Sequence, residues 1–408
     1  MTAREYPVFT VTPKAERSLR AGHPWVYGEE VTAVEGAYQN GDMVDVVSNK
    51  GRYLGTGWVN DHSKIRVRII SRNANDTFDE AFFRRRVCYA LNYRKTVMGP
   101  VDYRCCRLIF GEADQFPGLT VDRFENILVT QVLSLGMERR KDWVYRALVE
   151  LLREDDEQID AIYERNDVAI RTLEGLEQGK GFYQMEGLKT DLSGHVTITE
   201  NGIKYDVDYI EGQKTGFFLD QKYNRQAAAK LARGRRVLDC FTHTGAFALN
   251  AAAAGAEHVT AVDVSAFALE LAAENGKRNG LTNLDYKCAD VFDLLTEMAK
   301  EKKCDYDYII LDPPAFTKSR ATAKNAYHGY KEINRKAMRL LPRGGYLATC
   351  SCSHFMTDEM FRKMLQEAAL DAGVTLRQIE ARQQAPDHPI LPEVPETDYL
   401  KFYLLQVV

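Results

Sequence analysis

The sequence has no apolar run long enough to cross a membrane. Its longest stretch of small apolar residues runs from Ala246 to Ala256 and is interrupted by Asn250 and Gly255, whereas a membrane span needs roughly 20 apolar residues. Charged residues are scattered through the first thirty positions, where a secretory signal peptide needs an unbroken apolar core. These absences predict a soluble, cytoplasmic protein that does not bind membranes.

Paired cysteine motifs are missing as well. The 8 cysteines are spread along the chain without a CxxC pair, and no histidine stands at the spacing of a zinc site. We therefore expect reduced thiols and no metal. With 45% hydrophobic and 27% charged residues and 12 prolines, the composition is that of a globular protein rather than a disordered one.

The chain also lacks a large charge of either sign. A formal net charge of −4 argues against binding nucleic acid by bulk charge alone. Positive charge is nevertheless concentrated at the start, where residues 1–110 hold 17 Lys and Arg against 12 Asp and Glu. The clusters Lys64–Arg68 and Arg84–Arg86 could contact phosphates or could form an ordinary solvated face.

Three regions differ in their sequence patterns, and 408 residues suffice for two or three domains. Residues 1–73 contain short β-rich runs broken by turn signals and predict a small β-barrel domain. Residues 74–200 predict an α+β domain that opens with a helix from Phe78 to about Val97. Residues 201–408 begin within a hairpin whose turn is Asn201-Gly202.

The C-terminal region alternates predicted helices with five short apolar strands, a pattern typical of a parallel, doubly wound sheet. Such sheets bind ligands beyond the carboxyl ends of their strands. The first strand leads into a turn that contains Gly245, but GxGxxG is absent, which counts against a dinucleotide site.

Acidic residues stand at the ends of the first three of these strands, namely Asp239, Asp263 and Asp290. Asp263 is suited to accept hydrogen bonds from both ribose hydroxyls of an adenosine, and Asp290 could take the adenine amino group. An ordinary turn and helix capping are the structural alternatives. Three carboxylates in sequence favour a nucleoside with a positive sulfonium over a triphosphate.

The fourth and fifth strands end in further candidates. Asp312-Pro313-Pro314-Ala315-Phe316 joins a rigid loop to a carboxyl and an aromatic ring that could grip a planar base. Thr349-Cys350-Ser351-Cys352-Ser353 brings two thiols to the same edge, although a buried, inert cysteine is the commoner case.

These motifs resemble the ribosomal RNA large-subunit methyltransferase I family, which methylates C5 of cytosine in 23S rRNA. The resemblance is carried in the C-terminal region by Asp239–Gly245, Asp312–Phe316 and Ser351-Cys352-Ser353. Further matches are Gly22–Tyr27 with the family's N-terminal PUA domain, Gly111–Arg123 with its middle domain, and Gly212–Gln221 with the approach to its catalytic domain.

The resemblance implies a Rossmann-like class I methyltransferase domain, the cofactor S-adenosylmethionine, 23S rRNA as the RNA partner, and a homodimer. It implies that the cofactor site is lined by Asp239, Thr244, Gly245, Asp263, Asp290, Asp312, Gln221 and Arg225, and that Pro313, Pro314 and Phe316 contact the substrate base. His243 stands where the family commonly has tyrosine.

Cytosine C5 is a poor nucleophile, so a thiolate must first add to C6. Cys352 is the predicted nucleophile, with Cys350 as the less favoured thiol, and Asp312 is predicted to hydrogen-bond N3 and N4 and to help protonate N3. Two alternatives stay open: methylation of another base atom such as a guanine nitrogen, and a non-catalytic RNA-binding assembly factor.

Overall fold

The computed structural model describes residues 5–301, 304–317 and 319–408, and the chain divides into two compact units. The first unit extends through Ile198 and also contains residues 207–219 and 386–397. The second unit is formed by residues 199–206, 220–385 and 398–408.

The first unit begins with a six-stranded sheet of order β2-β6-β5-β4-β1-β3. Alternate residues of its first strand, Phe9 and Val11, are buried, as expected for a sheet with one face on a core. The helix that follows begins after Thr12, whose side chain accepts a hydrogen bond from the amide of Ala15. The elements of this part are β1 Val8–Val11, α1 Pro13–Arg20, β2 Trp25–Tyr27, β3 Val31–Glu35, β4 Met43–Ser48, β5 Tyr53–Val59 and β6 Ile65–Ser71.

A five-stranded sheet of order β11-β10-β9-β8-β7 forms the rest of the first unit's framework. The helix predicted from Phe78 begins at Glu80, because Asp79 accepts a hydrogen bond from the amide of Phe82 and caps it. The elements are α2 Glu80–Val97, α3 Pro100–Tyr103, β7 Cys105–Phe110, β8 Leu119–Phe124, β9 Ile127–Val132, α4 Leu135–Glu138, α5 Lys141–Glu154, β10 Ala161–Arg165 and β11 Lys180–Phe182.

The predicted hairpin is present as β12 His195–Glu200 and β13 Ile203–Asp208. Its turn residues Asn201 and Gly202 have φ angles of 52° and 80°. Two successive positive φ angles define the turn type whose twist matches paired strands, and asparagine followed by glycine adopts it most easily.

A seven-stranded sheet of order β16-β15-β14-β17-β18-β20-β19 organises the second unit. The strands β14 to β18 are parallel to one another, whereas β20 is antiparallel to both β18 and β19. The elements are α6 Lys222–Ala229, β14 Arg236–Cys240, α7 Ala246–Ala253, β15 His258–Asp263, α8 Ala266–Arg278, β16 Leu284–Cys288, α9 Val291–Glu301, β17 Tyr308–Leu311, α10 Ala323–Leu340, β18 Tyr346–Ser351, α11 Asp358–Ala372, β19 Leu376–Arg382 and β20 Lys401–Val407.

Both faces of this sheet are covered by apolar side chains. Neighbouring residues of the central strands alternate between two core clusters, as Val237 and Tyr308 do on one face and Leu238 and Ile309 on the other. A strand buried on both sides has no polar face, which explains the near-continuous apolar runs in the sequence. The prediction of a doubly wound α/β domain preceded by a β domain and an α+β segment is confirmed.

Short 3₁₀ helices complete the architecture at Gly28–Glu30, Gly111–Asp114, Ala169–Glu174, Leu219–Gln221, Arg320–Thr322 and Pro395–Thr397. Among the helices that the structure describes, none has the length and apolar character required to cross a membrane. The predicted domain limits at residues 73/74 and 200/201 stay a prediction.

Candidate active site

The strand order of the seven-stranded sheet reverses between β14 and β17. The strands β15 and β16 lie on one side of β14, and β17 and β18 lie on its other side. A crevice forms at the carboxyl ends of the strands at such a point. Asp239 is the second-last residue of β14, Asp312 directly follows β17, and Cys352 directly follows β18. Three predicted site residues therefore belong to neighbouring strand ends.

The loop that follows β14 has an unusual backbone. Phe241 and His243 have φ angles of 63° and 51°, a region that residues with side chains seldom adopt, and Gly245 has 84°. Such outliers persist where surrounding contacts hold them, and they cluster at functional sites. Here the amide of His243 donates to Oδ2 of Asp263 and the amide of Thr242 donates to the carbonyl of Val262.

Gly245 is needed for packing as well as for its backbone angle. A Cβ added there would lie 2.4 Å from Cδ1 of Leu249 and 3.0 Å from Cβ of Ala272 in α8. The absence of a side chain thus lets the start of α7 approach α8. Close packing of these two helices is therefore a steric reason for glycine at this position.

Asp263 ends β15 and has both carboxylate oxygens oriented by backbone amides. Oδ2 accepts from His243 at 2.9 Å and Oδ1 accepts from Ser265 at 2.9 Å. Each carboxylate oxygen can accept more than one hydrogen bond, so these contacts fix the group and leave it able to bind hydroxyls. The capping of α8 expected as an alternative is provided by the Ser265 side chain, which accepts from Ala268.

Asp290, by contrast, is exposed and caps a helix. Its Oδ1 accepts a hydrogen bond of 3.1 Å from the amide of Asp293 in the first turn of α9. The carboxylate of Asp290 therefore has a structural role at the start of α9. Its predicted contact with an adenine amino group stays a prediction.

Asp239 is fully buried, and burial raises the pKa of its carboxyl to about 7. The hydroxyl of Thr242 donates to Oδ2 at 2.5 Å and opposes the rise, while the negative charge of Asp312 adds to it. Among the described residues, Oδ1 of Asp239 and the buried hydroxyl of Thr244 have no hydrogen-bond partner. Buried polar atoms without a partner are costly, which is consistent with a ligand site.

Asp312 is held by Gln221, whose Nε2 donates to its Oδ1 at 3.0 Å. Gln221 in turn accepts a hydrogen bond of 2.7 Å from Asn224, so its amide orientation is fixed. Burial, followed by the charge of Asp220, raises the pKa of Asp312 to about 6. The predicted pair Gln221 and Asp312 is thus brought together.

Arg225 forms a buried, two-pronged ion pair with Glu200, with nitrogen–oxygen distances of 2.6 and 2.8 Å. This pairing orients its guanidinium toward the hairpin residue, while its charge still lowers the pKa of Asp312. Its predicted proximity to a cofactor stays a prediction.

The two candidate thiols have different environments. Cys350 lies inside β18 with no exposed surface, and burial raises the pKa of its thiol well above the ordinary value. The negative charge of Asp312 adds to this rise. Cys352 follows the end of β18 and is only half-buried. A neutral, enclosed thiol is a poor nucleophile, so the geometry favours Cys352.

The segment around Cys352 is anchored from two sides. The hydroxyls of Tyr330 and Ser353 are 2.9 Å apart, and the ring of Tyr330 is fully buried. Lys401, at the start of β20, donates through Nζ to the carbonyl of Ser353 at 2.7 Å. The nucleophile's flanking backbone is therefore fixed by α10 and by the antiparallel strand.

The loop after β17 presents one proline outward. Pro313 is buried, Pro314 is exposed, and Phe316 is half-buried. The ring centroid of Phe316 lies 4.5 Å from that of Tyr330, so this ring packs against α10. The predicted contacts of Pro313, Pro314 and Phe316 with a base stay predictions.

Sequence reasoning missed Glu200, Tyr330 and Lys401. One signal was available: Lys401 is the one charged residue in the mostly apolar run Tyr399–Val408. Tyr330 and Glu200 carry no comparable signal, because their partners are distant in sequence. Among the described residues, no group of three or more His, Cys, Asp or Glu side chains could hold a metal ion.

Comparison with known proteins gives this geometry its context. Residues 9–72 match a family model described as a PUA-like domain, and residues 182–405 match one described as an S-adenosylmethionine-dependent methyltransferase. A ribosomal RNA large subunit methyltransferase I of Pseudoalteromonas atlantica is 40% identical over 98% of this chain and 99% of its own length. The chain belongs to the ribosomal RNA large subunit methyltransferase I family. Another member, from Aeromonas salmonicida, is 42% identical over 95% of this chain and 96% of its own.

Solved structures share the fold of this member of the methyltransferase I family. A SAM-dependent methyltransferase from Streptococcus mutans superposes with a TM-score of 0.81 at 22% identity, covering 98% of this chain and 100% of that one. A methyltransferase solved in complex with SAH gives a TM-score of 0.82 over the same shares, also at 22% identity.

The cofactor of this family member is S-adenosylmethionine. The residues at the strand ends fit it, because Asp239, Asp263 and Asp312 are carboxyls that suit a cationic sulfonium, and the unpartnered atoms of Asp239 and Thr244 are available for polar contacts. A bound cation would favour the ionised carboxylates and would lower the raised pKa values of Asp239 and Asp312.

Proposed function

We propose that the protein methylates C5 of cytosine in large-subunit 23S rRNA, with Cys352 as the nucleophile. The carrying observation is the contrast between the two thiols, since Cys350 is enclosed in β18 whereas Cys352 is half-buried beyond the strand end. The printed names of the relatives, which specify ribosomal RNA of the large subunit, support the substrate.

S-adenosylmethionine supplies an electrophilic methyl group when it is bound. The thiolate of Cys352 adds to C6 of cytosine, and the electron pair displaced toward C5 makes that carbon nucleophilic. After C5 has taken the methyl group it loses its proton to a base, and the C6–sulfur bond breaks to release the thiolate. Methylation of cytosine C5 therefore requires an accessible cysteine, whereas methylation of a guanine nitrogen would not require one.

Asp312 serves the addition step in this proposal. A carboxyl near N3 and the N4 amino group can stabilise or neutralise the charge that develops on the ring. Burial raises the pKa of Asp312 above its ordinary value and opposes the lowering that a cationic cofactor would cause. Gln221 fixes its orientation through the 3.0 Å hydrogen bond.

RNA contact is assigned to the PUA-like domain rather than to the two basic clusters as a whole. Several of their cations are already paired: Arg68 lies 2.7 Å from Glu174, and Arg84 lies 2.6 Å from Glu154. A cation that is already paired with a carboxylate has less charge available for phosphates, so these clusters alone attract RNA only weakly.

The proposal is tested with RNA in which cytidine is replaced by 5-azacytidine. This analogue has nitrogen at position 5, so methyl transfer leaves no proton to remove and the C6–sulfur bond persists. With S-adenosylmethionine present, the wild-type protein should form a complex with the RNA that survives denaturing electrophoresis, and Cys352→Ala should form none.

Cys350→Ala is the matched control, because it removes a thiol two residues away and should still trap the RNA. If Cys352→Ala forms the adduct and Cys350→Ala does not, the nucleophile is misassigned. Methyl transfer to ordinary RNA without any trapped complex in the wild type would instead indicate methylation of another base atom.

A further inference from the structure

Lys401 is a buried cation close to the proposed nucleophile. Only 4% of its surface is exposed. In the antiparallel pairing of β18 with β20 it lies opposite Ser351, the residue that precedes Cys352. Its position in the sheet therefore brings an ammonium group to the strand end where the thiol stands.

The hydrogen bonds of Lys401 do not cancel its charge. Nζ donates to the carbonyls of Ser353 and Tyr399, each at 2.7 Å. Both acceptors are neutral, and the described residues give Lys401 no ion pair. A buried charge without a counterion is expensive, so an ammonium kept in this setting calls for a functional explanation.

Two carboxylates influence Lys401 through their charge but accept hydrogen bonds from other residues. Asp358 accepts from the hydroxyl of Tyr403, and Asp398 accepts from Nε2 of Gln383 at 3.1 Å. Both carboxylates and Cys352 act on Lys401 through charge, and all three raise its pKa, against the larger opposing effect of burial. Cys352 is the first of these three influences.

We propose that Lys401 is a positioning residue that stabilises the thiolate form of Cys352. This inference deepens the proposed function and rests on the assignment of Cys352 as nucleophile. The amine of Lys401 stays protonated while the thiol releases its proton to solvent, which leaves an ammonium beside a thiolate. Such a neighbour lowers a cysteine pKa from about 8.5 into a range of roughly 3.5–7.5.

The pH range of the effect follows from the titration of Lys401. Burial lowers the pKa of Lys401 to about 8, so the group is mostly charged at pH 7 and loses its charge as the pH rises through 8. The stabilisation of the thiolate is therefore present below pH 8 and declines above it.

The test measures the pKa of Cys352 by its rate of alkylation with iodoacetamide between pH 5 and pH 10. Mass spectrometry of fragment ions separates Cys352 from Cys350 on the same peptide, and the buried Cys350 reports any unfolding. In the wild type, Cys352 should titrate well below 8.5. In Lys401→Met its pKa should rise by at least one unit, so that alkylation slows about tenfold at pH values that lie below both pKa values.

Lys336→Met is the matched control. Lys336 is also buried, at 9% exposure, and also donates to neutral oxygens, the carbonyl of Phe292 at 3.3 Å and the hydroxyl of Thr296 at 2.6 Å. Unlike Lys401, it is also paired with a carboxylate, that of Glu332 at 2.7 Å. Its removal should leave the alkylation of Cys352 unchanged. Lys401→Arg keeps a cation and should restore most of the reactivity that Lys401→Met loses.

Two results would overturn the inference. One is a folded Lys401→Met protein, shown by retained binding of S-adenosylmethionine, in which Cys352 titrates as in the wild type. The other needs no variant, since a wild-type Cys352 that titrates at about 8.5 like a free thiol would exclude a stabilised thiolate even if Lys401→Met fails to fold.

Failure of the proposed function is distinguished by a separate measurement. If Cys352→Ala still methylates RNA while Lys401→Met shifts the alkylation pKa as expected, the link between Lys401 and Cys352 holds and the thiolate mechanism is wrong. A loss of methylation in Cys352→Ala combined with an unshifted alkylation pKa in Lys401→Met would reject Lys401 alone.

Discussion

At the scale of single residues, two carboxyls of the site have pKa values near neutrality. Burial raises the pKa of Asp239 to about 7 and that of Asp312 to about 6, and each is raised further by a neighbouring carboxylate. Shifts of this kind are common where proteins bind cations or move protons. Neutral carboxyls are thus accessible at physiological pH, and a cationic cofactor would return them to the charged form.

Replacing Asp312 with asparagine should lower kcat by about 100-fold, a typical contribution of a positioned acid or base. Binding of S-adenosylmethionine should change much less, because the amide keeps the shape and one hydrogen-bond acceptor. In the wild type, kcat should fall as the pH rises past the pKa that Asp312 has in the complex with cofactor and RNA, since a general acid must be protonated. This limb of the pH profile should be absent in Asp312→Asn.

The control for this substitution is Asp307→Asn. Asp307 directly precedes β17, whereas Asp312 directly follows it, and the carboxylate of Asp307 accepts a hydrogen bond of 3.1 Å from the amide of Arg236. It should retain the pH profile of the wild type. An Asp312→Asn enzyme with an unchanged rate would remove this carboxyl from the mechanism.

The residue types at the strand ends were predictable from the sequence, but their environments were not. Cys350 and Cys352 are two positions apart, so strand periodicity places them on the same side and cannot separate them. They differ because β18 ends at Ser351. Burial of Cys350 depends on packing by residues such as Phe402, which lies opposite Cys350 in β20 and is distant from it in sequence.

At the scale of elements, the connection from β14 to α7 is the most constrained part of the site. Its backbone holds Phe241, His243 and Gly245 at positive φ, and its amides contact the next strand through Asp263 and Val262. The loop is therefore fixed before any ligand binds, which reduces the entropy lost on binding.

Gly245→Ala should destabilise the fold and weaken cofactor binding. The new Cβ would overlap Leu249 and crowd Ala272, which adds about 1–3 kcal/mol of overpacking to the cost of a positive φ. Urea unfolding should show a larger loss of the free energy of unfolding than in Gly373→Ala. Gly373 also has a positive φ, of 72°, but nothing lies within 4 Å of an added Cβ.

The comparison isolates packing from backbone strain, because alanine is strained by the positive φ at both positions and only position 245 has close neighbours. Equal losses in the two variants would show that α8 adjusts to the extra methyl group. In that case the tight approach of α7 to α8 would not explain the glycine.

Strands and helices of this part were predicted by their apolar patterns, because a strand covered on both faces is apolar throughout. The hydrogen bonds between loops were not predictable. Nothing in the local sequence indicates that the amide of His243 donates to Asp263, 20 positions away. The pairing follows from the neighbouring placement of β14 and β15 in the sheet.

At the scale of the whole molecule, the order of strands brings distant segments to one edge. β20 returns antiparallel beside β18 and sets Lys401 opposite Ser351. The sequence predicted a terminal β run but not its partner, since pairing over such a separation depends on the complete sheet. The parallel alternation of helices and strands was sufficient to predict the fold class, and the motifs were sufficient to predict the family.

The central claim, that the site methylates C5 of cytosine, is tested most directly by identifying the product. The protein is incubated with S-adenosylmethionine labelled in its methyl group and with unmodified 23S rRNA, and the RNA is then digested to nucleosides. The account predicts label in 5-methylcytidine, and none when Cys352 is replaced by alanine. Label in any other nucleoside would contradict it.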